Sequence, residues 1–230
     1  MNLEVLSALN AERAARRAAV LVTDVTSGEQ RLVREADIEA DPLGVTLRER
    51  LRQGKSGLVE AEGRQFFLTV QVPPVRALVI GAVHISQALV PMAQSLDLDI
   101  AIVDPRTAFA TAERFPGVTV LPEWPDVALP RLGLDRYTAL VALTHDPKID
   151  DPALMAALRS GCFYIGALGS RKTHARRVER LMEAGFSPLD IERIHAPIGL
   201  DIGAVTPAEI AVSILAELVA TLRQNRRRSS

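Results

Sequence analysis

Five clusters in this chain carry the residue types that a phosphate-bearing, nucleotide-like ligand requires. Gly81-Ala82-Val83-His84 follows the apolar run Leu78-Val79-Ile80. A glycine turn that opens a helix presents backbone N–H groups and the positive end of the helix dipole, both suited to an anion. Ile102-Val103-Asp104-Pro105-Arg106 ends a second apolar run in the acid that dinucleotide-binding folds set against a ribose hydroxyl. Thr144-His145-Asp146-Pro147-Lys148 has the makings of a general base or a metal ligand. Gly166-Ala167-Leu168-Gly169-Ser170-Arg171-Lys172-Thr173 puts two glycines, hydroxyls and two cations ahead of a helical pattern, a combination that fits phosphate oxygens. The fifth is His195-Ala196-Pro197-Ile198-Gly199-Leu200-Asp201-Ile202-Gly203.

Each cluster also has a plainer reading. Gly81 is compatible with any tight turn, His84 with a cap of its own helix, and Asp104 with a cap of a short helix over 107–114. His145 reads equally as a buried, hydrogen-bonded histidine, and Ser170-Arg171-Lys172 as an ordinary helix start with solvated cations. The dinucleotide fingerprint G-x-G-x-x-G is incomplete, since Val83 and Ser86 stand at its second and third glycines. A valine Cβ keeps a pyrophosphate from that backbone, which counts against NAD(P). The spacing from His145 to Asp150 or Asp151 fits no zinc pattern, and Asp150-Asp151-Pro152 reads as the cap of a helix over 151–160. Cys162 sits in an apolar run and reads as packing, and His174, beside Arg176 and Arg177, as part of a solvated face. No phosphate-loop signature, nucleophile elbow or cysteine–histidine pair is present. The residues therefore predict a binding protein with no catalytic residue and no metal site.

The elements that would position these clusters alternate regularly from residue 76. Strand-like runs are Leu78–Ile80, Ile100–Val103, Val118–Leu121, Ala139–Leu143, Phe163–Ile165 and, weakly, Arg193–His195. Helical patterns cover 84–96, 107–114, 126–132, 151–160, 171–184 and 207–223. Continuous apolar strands between helices predict an α/β fold with a doubly wound, Rossmann-like parallel sheet. All five clusters then fall at the carboxyl ends of strands, where such sheets bind ligands. Thr206-Pro207-Ala208-Glu209 predicts a capping box at the last helix, and Arg223–Ser230 a frayed, solvated tail. Residues 1–73 read as a separate small α+β N-terminal domain: a helix over 1–16, strands Ala18–Val25 and Gln30–Arg34, a helix Leu43–Gln53, and a second hairpin, Leu58–Glu60 with Phe66–Val72. Pro73-Pro74 marks the boundary with a 74–230 Rossmann-like domain.

Composition narrows the function classes. The 230 residues are 48% hydrophobic and 24% charged with a net charge of -1, so no global field favours nucleic acid. Aromatic residues, at 4%, are too few for base-stacking platforms. One cysteine excludes a disulfide framework. No run is long and apolar enough for a membrane span, and the first residues are not an export signal. A cytoplasmic protein is expected.

The runs Val79–Ile85, Asp104–Arg106, Leu143–Asp146, Tyr164–Arg171 and His195–Gly203, followed by Pro207–Glu217, occur in one order. Together they resemble the xanthine dehydrogenase accessory factor family (XdhC/CoxI) across residues 76–220. The resemblance implies an accessory protein for molybdenum hydroxylases of the xanthine dehydrogenase, aldehyde oxidoreductase or carbon monoxide dehydrogenase type. It implies binding of the molybdenum cofactor, as molybdopterin or its cytosine dinucleotide form, and help with sulfuration by a cysteine desulfurase. Insertion into the apo molybdenum hydroxylase would follow, and a homodimer is a further expectation. With that ligand, the strand-end rim assigns cofactor binding to Gly81, His84, Asp104, Arg106, Thr144, His145, Gly166, Gly169, Ser170, Arg171, Lys172, Gly199 and Asp201. The chain departs from the family's usual Gly-x-Gly-His turn at Val83. It also lacks the cysteine segment usual in the family's N-terminal domain. An NAD(P)-dependent oxidoreductase and a ligand-free interaction module remain the alternatives.

Overall fold

Pro73 and Pro74 cannot donate to a backbone ladder, and the chain divides there into two compact units. The computed structural model describes residues 3–227, with side chains through residue 224.

The first unit is a four-stranded antiparallel sheet in the order β2-β1-β4-β3, with helices α1 (Leu3–Ala14) and α2 (Gly44–Gln53). The strands are β1 (Ala19–Asp24), β2 (Gln30–Arg34), β3 (Gly57–Ala61) and β4 (Arg64–Gln71). Val20, Val22, Leu47 and Leu68 are fully buried in its core. Glu62 and Gly63 link β3 to β4 with φ of 52° and 72°, the paired positive values that match the twist of a two-residue hairpin. Glu12 is buried between Arg17 (2.6 Å) and Arg34 (3.0 Å), whose hydrogen bonds hold its carboxyl down at about 2.

The second unit contains six parallel strands: β5 (Arg76–Ile80), β6 (Asp99–Val103), β7 (Thr119–Leu121), β8 (Thr138–Ala142), β9 (Tyr164–Ala167) and β10 (Ile194–His195). Their spatial order is β10-β9-β8-β5-β6-β7. The chain runs outward from β5 through β7, then returns to place β8 on the other side of β5. Val79 pairs with both Ile102 and Val141. That reversal is the switch point at which doubly wound sheets open a crevice. Successive side chains serve opposite faces. Val79, Ile102 and Val141 pack with α3 (His84–Gln94) and α8 (Pro207–Arg227) through Leu89, Ile214 and Leu218. Ile80, Leu140 and Ile165 pack with Leu129 of α4 (Pro125–Leu132), Leu154 of α5 (Pro147–Ser160) and Leu181 of α6 (Arg171–Glu183). A short helix, α7 (Pro188–Ile191), precedes β10. The parallel, doubly covered sheet expected from the sequence is present.

Three expectations differ. Residues 107–114 form turns, not a helix. The Arg114 guanidinium donates to the carbonyls of Phe109 (2.8 Å) and Ala82 (2.9 Å), bonds that hold the segment in turns. Helix α5 starts at Pro147 under an Asp146 cap that accepts the Lys148 N–H at 2.9 Å, so Asp150-Asp151-Pro152 does not open it. Both prolines could mark a first turn; Pro147 does, and Pro152 sits one turn inside. Helix α8 continues to Arg227, past the start of the tail expected to fray, and residues 228–230 lie outside the described residues.

Helix α8 begins with the expected capping box: Glu209 accepts the Thr206 N–H at 2.8 Å and donates its own N–H to Thr206 Oγ1 at 3.3 Å. Further along, Glu217 joins three elements. Its carboxylate accepts the Tyr164 hydroxyl (2.7 Å) and the Gly199 N–H (2.8 Å), and pairs with His195 Nδ1 (3.0 Å). Burial pushes this carboxyl up, but His195, Tyr164 and Gly199 outweigh it and leave it below the ordinary glutamate value. A depressed folded-state pKa contributes stability that is present above the unfolded value and is lost as pH falls through the folded one. Glu217→Ala, which leaves a buried hydroxyl and an amide without acceptors, should cost about 2–4 kcal/mol in urea unfolding. Glu217→Gln should flatten the loss of stability below about pH 4.3. An unchanged acid limb in that variant would remove Glu217 from this role.

Candidate functional site

The turn after β5 is shaped by what packs against it. Gly81 has φ of 115°, and a Cβ there would lie 2.8 Å from Thr144 Cγ2. The glycine therefore lets the β5 and β8 turns meet. The Ser86 hydroxyl donates to the Gly81 carbonyl, and His84 opens α3 with an exposed side chain. Asp104, at the end of β6, is fully buried. Its Oδ2 accepts the Ala82 N–H (2.7 Å) and Arg106 Nη2 (2.7 Å), and its Oδ1 accepts Arg106 N and Nε (2.9 Å each). Burial raises this carboxyl, and the Arg106 and Ala82 donors overcome it to leave the pKa below the ordinary value. A carboxylate with four donors already in place is neither a free ribose acceptor nor a helix cap. Asp104 instead clamps the β5 turn to the end of β6.

The β8 turn repeats this arrangement. Asp150 is 1% exposed in the first turn of α5. It accepts the Thr144 hydroxyl (2.7 Å), the Thr144 N–H (3.3 Å) and the His145 N–H (3.1 Å). Desolvation is the largest influence on it and raises its pKa, against the Thr144 bonds that lower it. His145 is held at φ of 63°. Its imidazole is exposed, in contrast to the buried rim histidine considered from sequence. Asp151 receives Arg180 at 2.5 Å and 3.1 Å.

At β9, glycines again answer to packing. A Cβ on Gly166 would overlap Ile198, and one on Gly199 would overlap Ser213. Gly169, at φ of 135°, brings the chain onto Thr173. Ser170 caps α6 by accepting the Thr173 N–H at 3.2 Å. The solvated face expected at His174 is corrected in part: Arg176 is exposed, but His174 is half-buried and Arg177 is buried. Arg177 is 2% exposed and donates Nη2 to the Leu168 carbonyl at 2.9 Å, while its Nε and Nη1 have no partner among the described residues. His174 Nδ1 is likewise buried and unpartnered, and burial, then Arg177, lowers its pKa. Arg177 shares a helical stripe with Thr173 and Leu181, at i−4 and i+4. Extending the apolar period through α6 would have placed it inside.

These residues leave a cleft of ≈ 380 Å³ between the start of α5 and the α6 face from Lys172 to Arg180, lined in part by His145, Lys172, Arg176 and Arg177. Of the residues expected to bind a ligand, His145 and Lys172 line it; Gly81, His84, Asp104, Arg106, Gly199 and Asp201 do not. Arg171 is exposed at the start of α6. Cys162 is buried, which pushes its thiol up to about 11. Among the described residues, no group of three His, Cys, Asp or Glu side chains could hold a metal ion, and no helix is long and apolar enough to cross a membrane.

Residues 77–218 match the family described as the XdhC Rossmann domain. The chain is 32% identical over 158 residues to PaoD of Escherichia coli K12, named a molybdenum cofactor insertion chaperone; the match covers 69% of this chain and 43% of PaoD. It is 33% identical over 153 residues to YqeB of the same organism, an uncharacterised protein (66% of this chain, 28% of YqeB). A Bacillus subtilis 168 protein named as a probable subunit of xanthine dehydrogenase is 29% identical over 153 residues (66% and 44%). The chain thus spans less than half the length of each of these curated relatives. A solved structure from Bacillus halodurans, described as a xanthine dehydrogenase, shares the fold with a TM-score of 0.66 at 22% identity, over 99% of this chain and 66% of that one. This chain belongs to the XdhC family.

The Asp150 arrangement has a direct consequence. Asp150→Ala removes the acceptor for two backbone amides and a hydroxyl, and should lower stability by about 2–4 kcal/mol. Lys148→Ala, on the exposed side of the same turn, should change it by less than about 0.5 kcal/mol. Equal midpoints for the two variants in thermal unfolding would contradict this.

Proposed function

We propose that this chain is an accessory protein that holds molybdenum cofactor as cargo and passes it to an apo molybdenum hydroxylase. The observation that carries the reading is the surplus of cationic side chains that α6 brings to the cleft beside the start of α5, within the segment that matches the XdhC domain. The pterin cofactor carries a phosphate, or a diphosphate in its cytosine dinucleotide form, and an anion of that kind meets Lys172 and Arg176 where two helix dipoles present their positive ends. The role for which PaoD is named supports the same cargo.

The acidic groups of the rim support this cargo over NAD(P). Asp104, the residue on which a ribose contact would rest, is occupied by Ala82 and Arg106. Sulfur chemistry, in this reading, belongs to a partner desulfurase. The only cysteine of the chain is Cys162, whose buried thiol with a raised pKa is a poor nucleophile.

Two measurements test the proposal. Titration with purified pterin cofactor should give binding at least about ten-fold tighter than to an unrelated Rossmann protein, a difference of about 1.4 kcal/mol. Cofactor delivered on the chain should activate a cofactor-free hydroxylase faster than the same cofactor added alone. Equal affinity for the unrelated protein, together with no acceleration, would overturn the reading.

A further inference from the structure

We infer that the cleft between α5 and α6 is a phosphoryl-binding subsite with Arg177 at its floor and Lys172 and Arg176 at its rim. The sequence pointed to the Gly169-Ser170-Arg171-Lys172 turn for that task. In the structure Ser170 is engaged with Thr173, and Arg171 does not line the cleft. The proposed anion grip therefore keeps Lys172 and extends one helical turn further into α6, to Arg176 and Arg177.

Charge distribution carries the assignment. Four cationic side chains and two carboxylates line the cleft. Asp151 is held by Arg180 through two bonds, and Asp150 is held by Thr144 and the His145 amide. Lys172 and Arg176 have no such partner among the described residues, and both sit on the outer surface of the cleft. Beneath them is Arg177, 2% exposed and with two nitrogens unpartnered among the described residues. Burying a guanidinium with unmade hydrogen bonds is costly, and burial pushes its pKa down while Asp150 and Asp151 oppose the shift. A phosphoryl group in the cleft relieves that cost by opposite charge, assisted by the helix N-termini at Pro147 and Arg171. The protein thus carries a locally unfavourable arrangement that becomes favourable when an anion arrives, as binding sites commonly do.

Which phosphoryl ligand enters rests on the accessory function proposed above; the cleft and its charges do not. A phosphate monoester and a diphosphate share this chemistry, so two probes separate them: glycerol phosphate and cytidine diphosphate, titrated calorimetrically into the full chain in chloride buffer. Binding of at least one probe is expected, weakened at least about ten-fold by Lys172→Ala with Arg176→Ala, since charge-assisted hydrogen bonds are the strong ones. The double variant should melt where the wild type does, because both side chains are exposed. Arg177→Met removes two unpartnered buried nitrogens along with the charge, at the cost of the single bond to the Leu168 carbonyl, and should fold and bind neither probe. Tighter binding of cytidine diphosphate assigns a diphosphate; equal or tighter binding of glycerol phosphate assigns a single phosphoryl group. No binding by the wild type, or undiminished binding by the double variant, overturns the subsite. Should Arg177→Met fail to fold, the double variant decides alone. Pterin cofactor binding that survives the double variant would sink the subsite and leave the accessory function standing. Phosphoryl binding without cofactor binding would do the reverse.

Discussion

Buried and half-buried carboxylates that take up the chain's own donors govern the carboxyl edge of the parallel sheet. Asp104 ties the β5 turn to the end of β6, Asp150 closes the β8 turn, and Glu217 draws β9, β10 and the loop at Gly199 onto α8. A parallel sheet leaves irregular backbone at this edge, and buried amides there must find acceptors. Side-chain carboxylates meet that need at these turns without adding a strand or a longer helix. The turns can then be short, and the glycines within them serve close packing against Thr144, Ile198 and Ser213.

This constraint also sets the sign of the site. Asp104 and Asp150 are committed to backbone, hydroxyl and arginine donors of the chain itself, which leaves their oxygens little capacity for a ligand. Cations are left over: Lys172 and Arg176 at the surface of the α5–α6 cleft and Arg177 beneath them. With two helix N-termini beside them, they form the subsite proposed for a phosphoryl group. In the proposed subsite, an architecture that hosts dinucleotides in other proteins would hold phosphoryl groups by side chains more than by a glycine-rich backbone.

Much of this was legible in the residues. Continuous apolar strands such as Leu78-Val79-Ile80 and Ala139–Leu143 announced a parallel sheet, and Thr206 with Glu209 announced the start of α8, because both signals are local. The 107–114 segment misled because its alanines favour a helix, whereas Arg114 makes its bonds to carbonyls outside that pattern. Pro147 and Pro152 gave two possible starts for α5, and the decision lay in Asp146 reaching the Lys148 amide. Asp104 was placed correctly at a strand end, but its partner, Arg106, is two residues away and spacing says nothing about occupancy. Arg177 and Glu217 were missed for a different reason: a charged residue in a helix reads as solvated unless the buried stripe is followed through it.

The cargo proposed for this chain is a phosphorylated pterin. Mass spectrometry of the small molecule released on denaturing protein purified from cells that make molybdenum hydroxylases tests it most directly. The account predicts a molybdopterin species, with or without a cytosine nucleotide, close to one per chain. Recovery of NAD or NADP at that ratio, with no pterin, would contradict it.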